Sequence, residues 1–313
     1  MNAPNQTMET YFIIRGISSV PELQLPIFLL VLLIYIIILG GNMTILTLFC
    51  LDRQLHTPMY FFLANLSLVD MSCSTVSLHK ILANFLSGDK SVSHLACMVQ
   101  MYFFAALMFD EFAILAVMSF DRYVAICNPL LYHTIMTQKV CVGLALVSWI
   151  SGFVNLLPPI IMVSGFSCYR SHEINHFFCD IVPLMEITCD DIAILEIVIF
   201  TVGVTTFVLL PFLVTFTPYI FIIITILKIR TSFGRRKAFY TCSSHLTVVI
   251  LLFLIICFQY ITPQSKRSTE SSKMFSMFNT VFIPIVNPLI YSFKNKEMTL
   301  AIKRRLKLCK LTP

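Results

Sequence analysis

Charge is scarce in this sequence. Asp, Glu, Lys and Arg make up only 12% of its 313 residues, against 58% hydrophobic, whereas a soluble domain carries roughly 25% charged residues. So little charge cannot cover a water-facing surface, which excludes a soluble enzyme with a large core. The chain also lacks metal-ligand spacing among His and Cys, a nucleophile–base pair and a phosphate-binding loop, so no enzyme class is supported. His56, His133 and His245 fall at the ends of apolar runs and are expected to be satisfied locally. No internal repeat is visible, which counts against a small-molecule transporter built from repeated halves. No charged n-region with a cleavage site precedes the first apolar run, so that run is expected to act as an uncleaved signal anchor.

Long apolar runs are abundant instead. About 20 apolar residues suffice to cross the hydrocarbon as a helix, and such runs occupy 26–50, 59–79, 98–121, 140–163, 196–227, 241–262 and 273–293. Lipid leaves no water for backbone groups, and runs this long are not barrel strands, so the expected fold is an all-α membrane protein, a seven-transmembrane helix bundle. The division is 1–25 as an extracellular N-terminal segment, 26–293 as the seven-span domain, and 294–313 as a cytoplasmic tail with a short amphipathic helix.

Orientation follows from Lys and Arg. Lys228, Arg230, Arg235, Arg236 and Lys237 lie between the fifth and sixth spans, and Lys294, Lys296, Lys303, Arg304, Arg305, Lys307 and Lys310 follow the seventh. The connection from about 164 to 195 is acidic, with Glu173, Asp180, Glu186, Asp190 and Asp191 against Arg170. The tail is therefore expected in the cytoplasm and the N-terminus outside. The net charge of +6 reflects this asymmetry and is no sign of nucleic-acid binding. Asn5-Gln6-Thr7 is a glycosylation sequon in the expected outer segment. Of eleven cysteines, Cys97, Cys168, Cys179 and Cys189 map to the outer side, where oxidation is permitted; their three possible pairings stay open. Cys50, Cys73, Cys141 and Cys257 read as membrane thiols, and Cys309 beside the basic tail is a palmitoylation candidate.

Counting depth along each helix at about 1.5 Å per residue puts Asp70, Glu111 and Asn42 roughly 16–18 Å above the cytoplasmic edge. Asn287 falls slightly lower. Two carboxylates at one depth repel unless one is protonated or a cation lies between them. The expectation is a sodium or proton site held by Asp70 and Glu111, with helix–helix hydrogen bonding as the plainer alternative. Asp110 points about 100° away from Glu111, toward the cavity, a neighbouring helix or water. Pro211 interrupts the fifth span, Pro284 and Pro288 the seventh, and Pro158-Pro159 ends the fourth, each permitting a kink.

Several long motifs occur in order: GN at 41–42, LHTPMYFFLANLSLVD at 55–70, MSFDRYVAICNPLLYHTIM at 118–136, HFFCD at 176–180, KAFYTCSSHLTVV at 237–249 and PIVNPLIYSFKNKE at 284–297. On these the chain, from about 8 to 308, resembles the vertebrate olfactory receptors within the rhodopsin-like G-protein-coupled receptors. The resemblance implies an odorant receptor of the plasma membrane that binds a small volatile or hydrophobic ligand. It would activate a stimulatory heterotrimeric G protein on the cytoplasmic face and raise cAMP. It implies a switch formed by Asp121, Arg122 and Tyr123, with Tyr219, Asn287, Pro288 and Tyr291 as its companions. Asp121 would hold Arg122 at rest, and KAFYTCSSHL would face the G protein. It also pairs Cys97 with Cys179 and Cys168 with Cys189.

The family's cavity lies among the third, fifth, sixth and seventh helices, which here gives Phe104, Ala105, Met108, Phe109, Gly203, Phe207, Phe253, Ile256, Tyr260 and Thr280. Tyr260 and Thr280 are the candidates for orienting a ligand's polar group. This set suits a small hydrophobic ligand. The chain departs from the family in carrying Phe253-Leu254 where Tyr-Gly is usual, and Asp110 where a small or polar residue is usual. Among rivals, an amine receptor needs an acid where Phe104 stands. A retinal protein needs a lysine in the middle of the seventh helix, and only Lys273 and Lys294 occur, one at each end. A class A receptor for a non-odorant small molecule outside the nose is the nearer alternative. No cofactor is implied beyond the sodium ion.

Overall fold

A computed structural model describes residues 11–203, 205, 209–261, 269–293 and 296–311. Asn5 and Phe207 lie outside the described residues, as do the side chains of Ile256, Tyr260, Cys257 and Cys309. The chain forms a bundle of seven long helical spans followed by an eighth helix: α1 (Pro21–Leu51), α2 (Pro58–Ser87), α3 (His94–Cys127), α4 (Gln138–Asn155, resumed as Leu157–Ser164), α5 (Ala193–Val202, resumed as Leu210–Lys228), α6 (Ser232–Ile261), α7 (Thr269–Met277, resumed as Ile283–Phe293) and α8 (Lys296–Leu311). Among the described residues, six stretches are long and apolar enough to cross a membrane, and α6 adds the shorter apolar segment His245–Ile255. Side chains such as Leu29, Leu33 and Ile36 on α1 are 55–58% exposed, a surface that only hydrocarbon tolerates.

Prolines start helical segments more often than they end them. Pro158 and Pro159 sit in the first turn of the segment Leu157–Ser164, so the fourth span runs on past them. Pro211 likewise opens Leu210–Lys228. The first turn of a helix has no partner for its N–H groups, so proline costs nothing there. The seventh span is broken differently, by a π-helical turn over Phe278–Phe282.

One element was not expected from sequence. Strand β1 (Tyr11–Ile14) pairs antiparallel with β2 (Ser91–Ser93) and parallel with β3 (Glu173–Ile174), in the order β2-β1-β3. Phe12 and Ile14 turn inward, fully buried, while Tyr11 and Ile13 stay exposed, the alternation of a half-buried strand. Four residues are too few to register as a period, and both partners are distant in sequence. This sheet marks one end of the bundle, the sheet end; Lys228, Arg230, Arg235 and Arg236 mark the opposite, basic end.

At the basic end α8 is tied back to the connection between α1 and α2. Arg304 donates to Asp52 from Nε at 3.1 Å and from Nη2 at 2.7 Å, while Asp52 Oδ1 caps Gln54 N at 3.0 Å. These bonds, Arg304's first, hold the Asp52 carboxyl below its ordinary value of 3.8. A lowered folded value means that the contact stabilises the fold above that ordinary value and is lost as pH falls through the lowered one. Met298 and Ala301 bury the inner face of α8.

Helix α4 lies close against α3 at Gly152. A Cβ there would meet the Asp110 carboxylate and lie 2.6 Å from the Ala106 carbonyl oxygen. Asp110, fully buried, therefore faces the neighbouring helix, one of the three directions its sequence position left open. Gly152→Ala is expected to cost about 1–3 kcal/mol of thermal stability through overpacking. The loss should be smaller in an Asp110→Ala background, where one of the two obstructions is gone; equal losses in both would show that the side chains are not apposed.

Candidate functional site

The basic end holds the ionic pair. Asp121 is fully buried in the last turns of α3, and Arg122 donates to its Oδ2 through Nη2 and, at 3.0 Å, through Nε. The second carboxylate oxygen, Oδ1, accepts from the Tyr132 hydroxyl at 2.7 Å. Tyr132 lies in the short helix Tyr132–Ile135 between α3 and α4. Burial, with the Asp121 carboxylate beside it, pushes the Tyr132 hydroxyl well up, so it stays a donor. A buried carboxylate needs its charge balanced and its lone pairs bonded, and here both are met by groups close in sequence. Sequence reasoning missed Tyr132, because a tyrosine in a connection carries no signal of its partner.

Around the pair, Tyr123 packs edge-on against Phe221 of α5 with centroids 5.9 Å apart. The Tyr219 hydroxyl of α5 bonds His245 Nδ1 of α6, both side chains buried. Nδ1 of His245 thus finds its partner across helices and not locally as expected, 26 residues away. His56 does bond nearby, to the Phe49 carbonyl at 2.8 Å. In α7, Tyr291 is fully buried and its hydroxyl has no hydrogen-bond partner among the described residues. Pro288 packs against Gly41 of α1, its Cγ 3.1 Å from where a Cβ on Gly41 would lie.

A polar layer crosses the middle of the bundle. Asn287 Nδ2 donates to Asp70 Oδ2 at 2.9 Å, and the same amide lies against Glu111. Ser74 donates to the Thr280 carbonyl at 3.0 Å. Asn42 does not join the carboxylates; its Nδ2 donates to the Ile38 and Pro284 carbonyls at 3.1 Å, the latter left free because Pro288, four residues on, lacks the N–H that would bond it. Asp70, Glu111 and Asn287 are 1–2% exposed. Asp70 Oδ1, Glu111 Oε1 and Asn287 Oδ1 have no hydrogen-bond partner among the described residues. Unpaired oxygens from two acids and an amide are the donor set of a hard monovalent cation. Among the described residues no three His, Cys, Asp or Glu side chains cluster as a metal site.

Toward the sheet end, Phe104, Met108, Phe109 and Phe253 share one buried cluster, with Ala105 packed against it. Phe253 meets Phe112, Phe212 and Phe216 edge-on at 5.6, 5.8 and 5.3 Å. Gly203 is buried. Thr280 is buried in the π-helical turn of the seventh span, its carbonyl bonded by Ser74 of α2 and its hydroxyl without a partner among the described residues. Of the cavity set, Phe207 and the side chains of Ile256 and Tyr260 fall outside the described residues.

A roof closes this region. Cys97 bonds Cys179 and Cys168 bonds Cys189, each with Cα atoms 5.3 Å apart. Gln100 Oε1 accepts from Cys179 N at 3.0 Å, and Asp190 Oδ2 caps Ser167 N and Cys168 N at 2.8 and 3.1 Å. Between the bridges, His176, Phe177 and Phe178 are fully buried. Phe178 packs on Phe104 at 4.6 Å and on Phe177 at 4.9 Å, and Phe177 stacks on His176 at 4.6 Å. Burial, with the Lys273 ammonium near it, drives His176 down to about 3, so the imidazole is neutral at physiological pH. The roles of His176 and Phe178 were not evident from sequence; only the HFFCD string marked the place.

Comparison with known proteins agrees along the whole chain. The family profile described as olfactory receptor matches residues 31–309. The chain is 45% identical over 301 residues to human olfactory receptor 5B12, covering 96% of this chain and 95% of the relative. It is 42% identical over 307 residues to human olfactory receptor 8D1, covering 98% and 99%. Against mouse olfactory receptor 5AR1 it is 42% identical over 305 residues, covering 97% and 98%.

The Tyr132 bond to a buried carboxylate is testable without any ligand. A hydrogen bond to a charged group contributes about 1.5–3 kcal/mol, so Tyr132→Phe should lower thermal stability by that order. In an Asp121→Asn background the same substitution should cost much less; a purely additive double-mutant cycle would remove the bond from the account.

Proposed function

Because the chain belongs to the olfactory receptor family, we propose that it works as a two-ended switch with the sheet end outside the cell and the basic end in the cytoplasm. The protein is an odorant receptor, a multi-pass protein of the plasma membrane signalling through a heterotrimeric G protein. A small hydrophobic odorant enters the cluster around Phe104, Met108, Phe109 and Phe253 beneath the Phe178 roof. Apolar walls with few hydroxyls give such a ligand burial without a charged partner, and Tyr260 and Thr280 orient its polar group. The stimulatory olfactory G protein docks at the basic end and cAMP rises.

The observation that carries this reading is the sharing of Asp121 between Arg122 and Tyr132. Arg122 is held by its own neighbour, Asp121. When α6 moves, Arg122 is free to turn toward a cytoplasmic partner, and Tyr219, Asn287 and Tyr291 take up the exposed positions. No observation favours the transporter reading. Asp70, Glu111 and Asn287 hold a sodium ion in this proposal, which screens the two carboxylates from each other and stiffens the resting bundle.

Two measurements test it. In cells coexpressing the olfactory G protein, an odorant panel should raise cAMP for wild type and leave surface-expressed Arg122→Ala silent. A full response from that variant would refute the switch. In purified receptor, sodium at ten times its dissociation constant should stabilise wild type by about 1.4 kcal/mol. Glu111→Gln should abolish that gain, and equal indifference of both proteins to sodium would remove the ion from the mechanism.

A further inference from the structure

A cleft separate from the Phe104 cluster runs along α1, α2 and α7 at the sheet end. Its lower chamber has about 70 Å³ of space open to water-sized groups, between Val31, Ile34, Leu78, Met277 and Val281. Its upper chamber adds about 50 Å³ beside Asn84 and under the stacked rings of Phe28 and Phe85, whose centroids are 4.3 Å apart. Ile17, Ile27, Ile81 and Phe177 line both chambers. The two chambers therefore adjoin along one slot, the lower apolar and the upper of mixed polarity.

Asn84 gives the slot its chemistry. It is only 9% exposed, and its buried Oδ1 has no hydrogen-bond partner among the described residues. A buried amide oxygen left unpaired costs about 1–3 kcal/mol, so this acceptor calls for a neutral donor. Of the two cations lining the upper chamber, Arg15 is paired with Glu173 at 2.9 Å and Lys90 is exposed to water, and a carboxylate would set oxygen against the Asn84 oxygen. An ammonium would have to leave water for apolar walls. A hydroxyl is the smallest group that satisfies the acceptor without a charge. Room for about five water-sized groups in the lower chamber fits a slender alkyl chain and not a rigid ring system. Leu30, on its wall, is 56% exposed on the lipid-facing side, which leaves an entrance from the hydrocarbon.

We infer that this cleft is a second ligand site, selective for a medium-chain aliphatic alcohol that enters from the lipid, with Asn84 accepting its hydroxyl. Phe177 connects the site to the roof. Its ring meets Phe178 at 4.9 Å, and Phe178 meets Phe104 at 4.6 Å, so an occupant presses on the same rings that cover the main cavity.

The test is photolabelling of the full-length receptor in phosphatidylcholine nanodiscs with a diazirine-bearing n-octanol and its hydroxyl-free counterpart. Adducts are mapped by mass spectrometry. The alcohol probe should mark Ile81, Phe177 and Val281, and excess n-octanol should compete it away. Asn84→Leu should reduce that labelling about fivefold, the weight of one neutral hydrogen bond, and leave the hydroxyl-free probe unchanged. Val281→Trp should fill the lower chamber and abolish it, thermal unfolding confirming that the variant is intact; Asn84→Leu alone decides the matter if Val281→Trp fails to fold. Adducts confined to Leu29, Leu33 and Ile36 and indifferent to Asn84→Leu would overturn the site. Labelling that n-octanol does not displace would also overturn it, the slot then belonging to bilayer phospholipid. Neither outcome depends on signalling, so a failure here leaves the receptor reading untouched.

Discussion

Hydrocarbon offers no hydrogen bond, and the rest of this structure is arranged around that constraint. Each polar group carried into the bundle must find its partner on another helix or be matched by an ion. Three groups of polar residues show it. Asp70, Glu111 and Asn287 meet in mid-bundle, Asp121, Arg122 and Tyr132 at the basic end, and Asn175 and Lys273 at the sheet end. Between these levels the contacts are aromatic and aliphatic. Such contacts resist separation but tolerate sliding, because dispersion attraction has no fixed direction.

The arrangement explains which features could be read from the sequence. Composition and run length dictate helices, because a long apolar run in lipid has no other stable form. The Asp121–Arg122 pair and the depth of Asp70 and Glu111 were likewise legible, since both follow from counting along one helix. What escaped were partners brought from a distance. Tyr132 reaches Asp121 from a connection, His245 finds Tyr219 across two helices, and Asn42 takes the Pro284 carbonyl, 242 residues away and freed by Pro288. Strand β1 escaped for the same reason, with partners 80 and 160 residues along the chain at about the scale of whole helices. Gly152 reads as an ordinary helical glycine until Asp110 is seen against it.

The roof joins two regions that sequence treats separately. Cys97–Cys179 fixes the HFFCD segment to the start of α3, so Phe177 and Phe178 cannot retreat from the bundle. One ring then faces the α1–α2–α7 cleft and its neighbour faces Phe104. A neutral His176 packed against both rings keeps this plug free of charge. A charged imidazole in that position would have demanded water or a carboxylate and opened the roof.

Energy decides how firmly the basic-end contact can be held. A ligand that turns a 1:99 population into 99:1 must favour the new state by about 5.5 kcal/mol. A small odorant that hides about 150–200 Å² of apolar surface gains roughly 4–5 kcal/mol at 25 cal/mol/Å², and part of that is spent on immobilising it. The resting state can therefore be favoured by only a few kcal/mol, or no ligand of this size could reverse it. One carboxylate shared by two donors lies in that range, each charged bond contributing about 1.5–3 kcal/mol. An ionic pair at the helix edge, with Tyr132 as its second donor, can be broken by a volatile molecule and still hold without one.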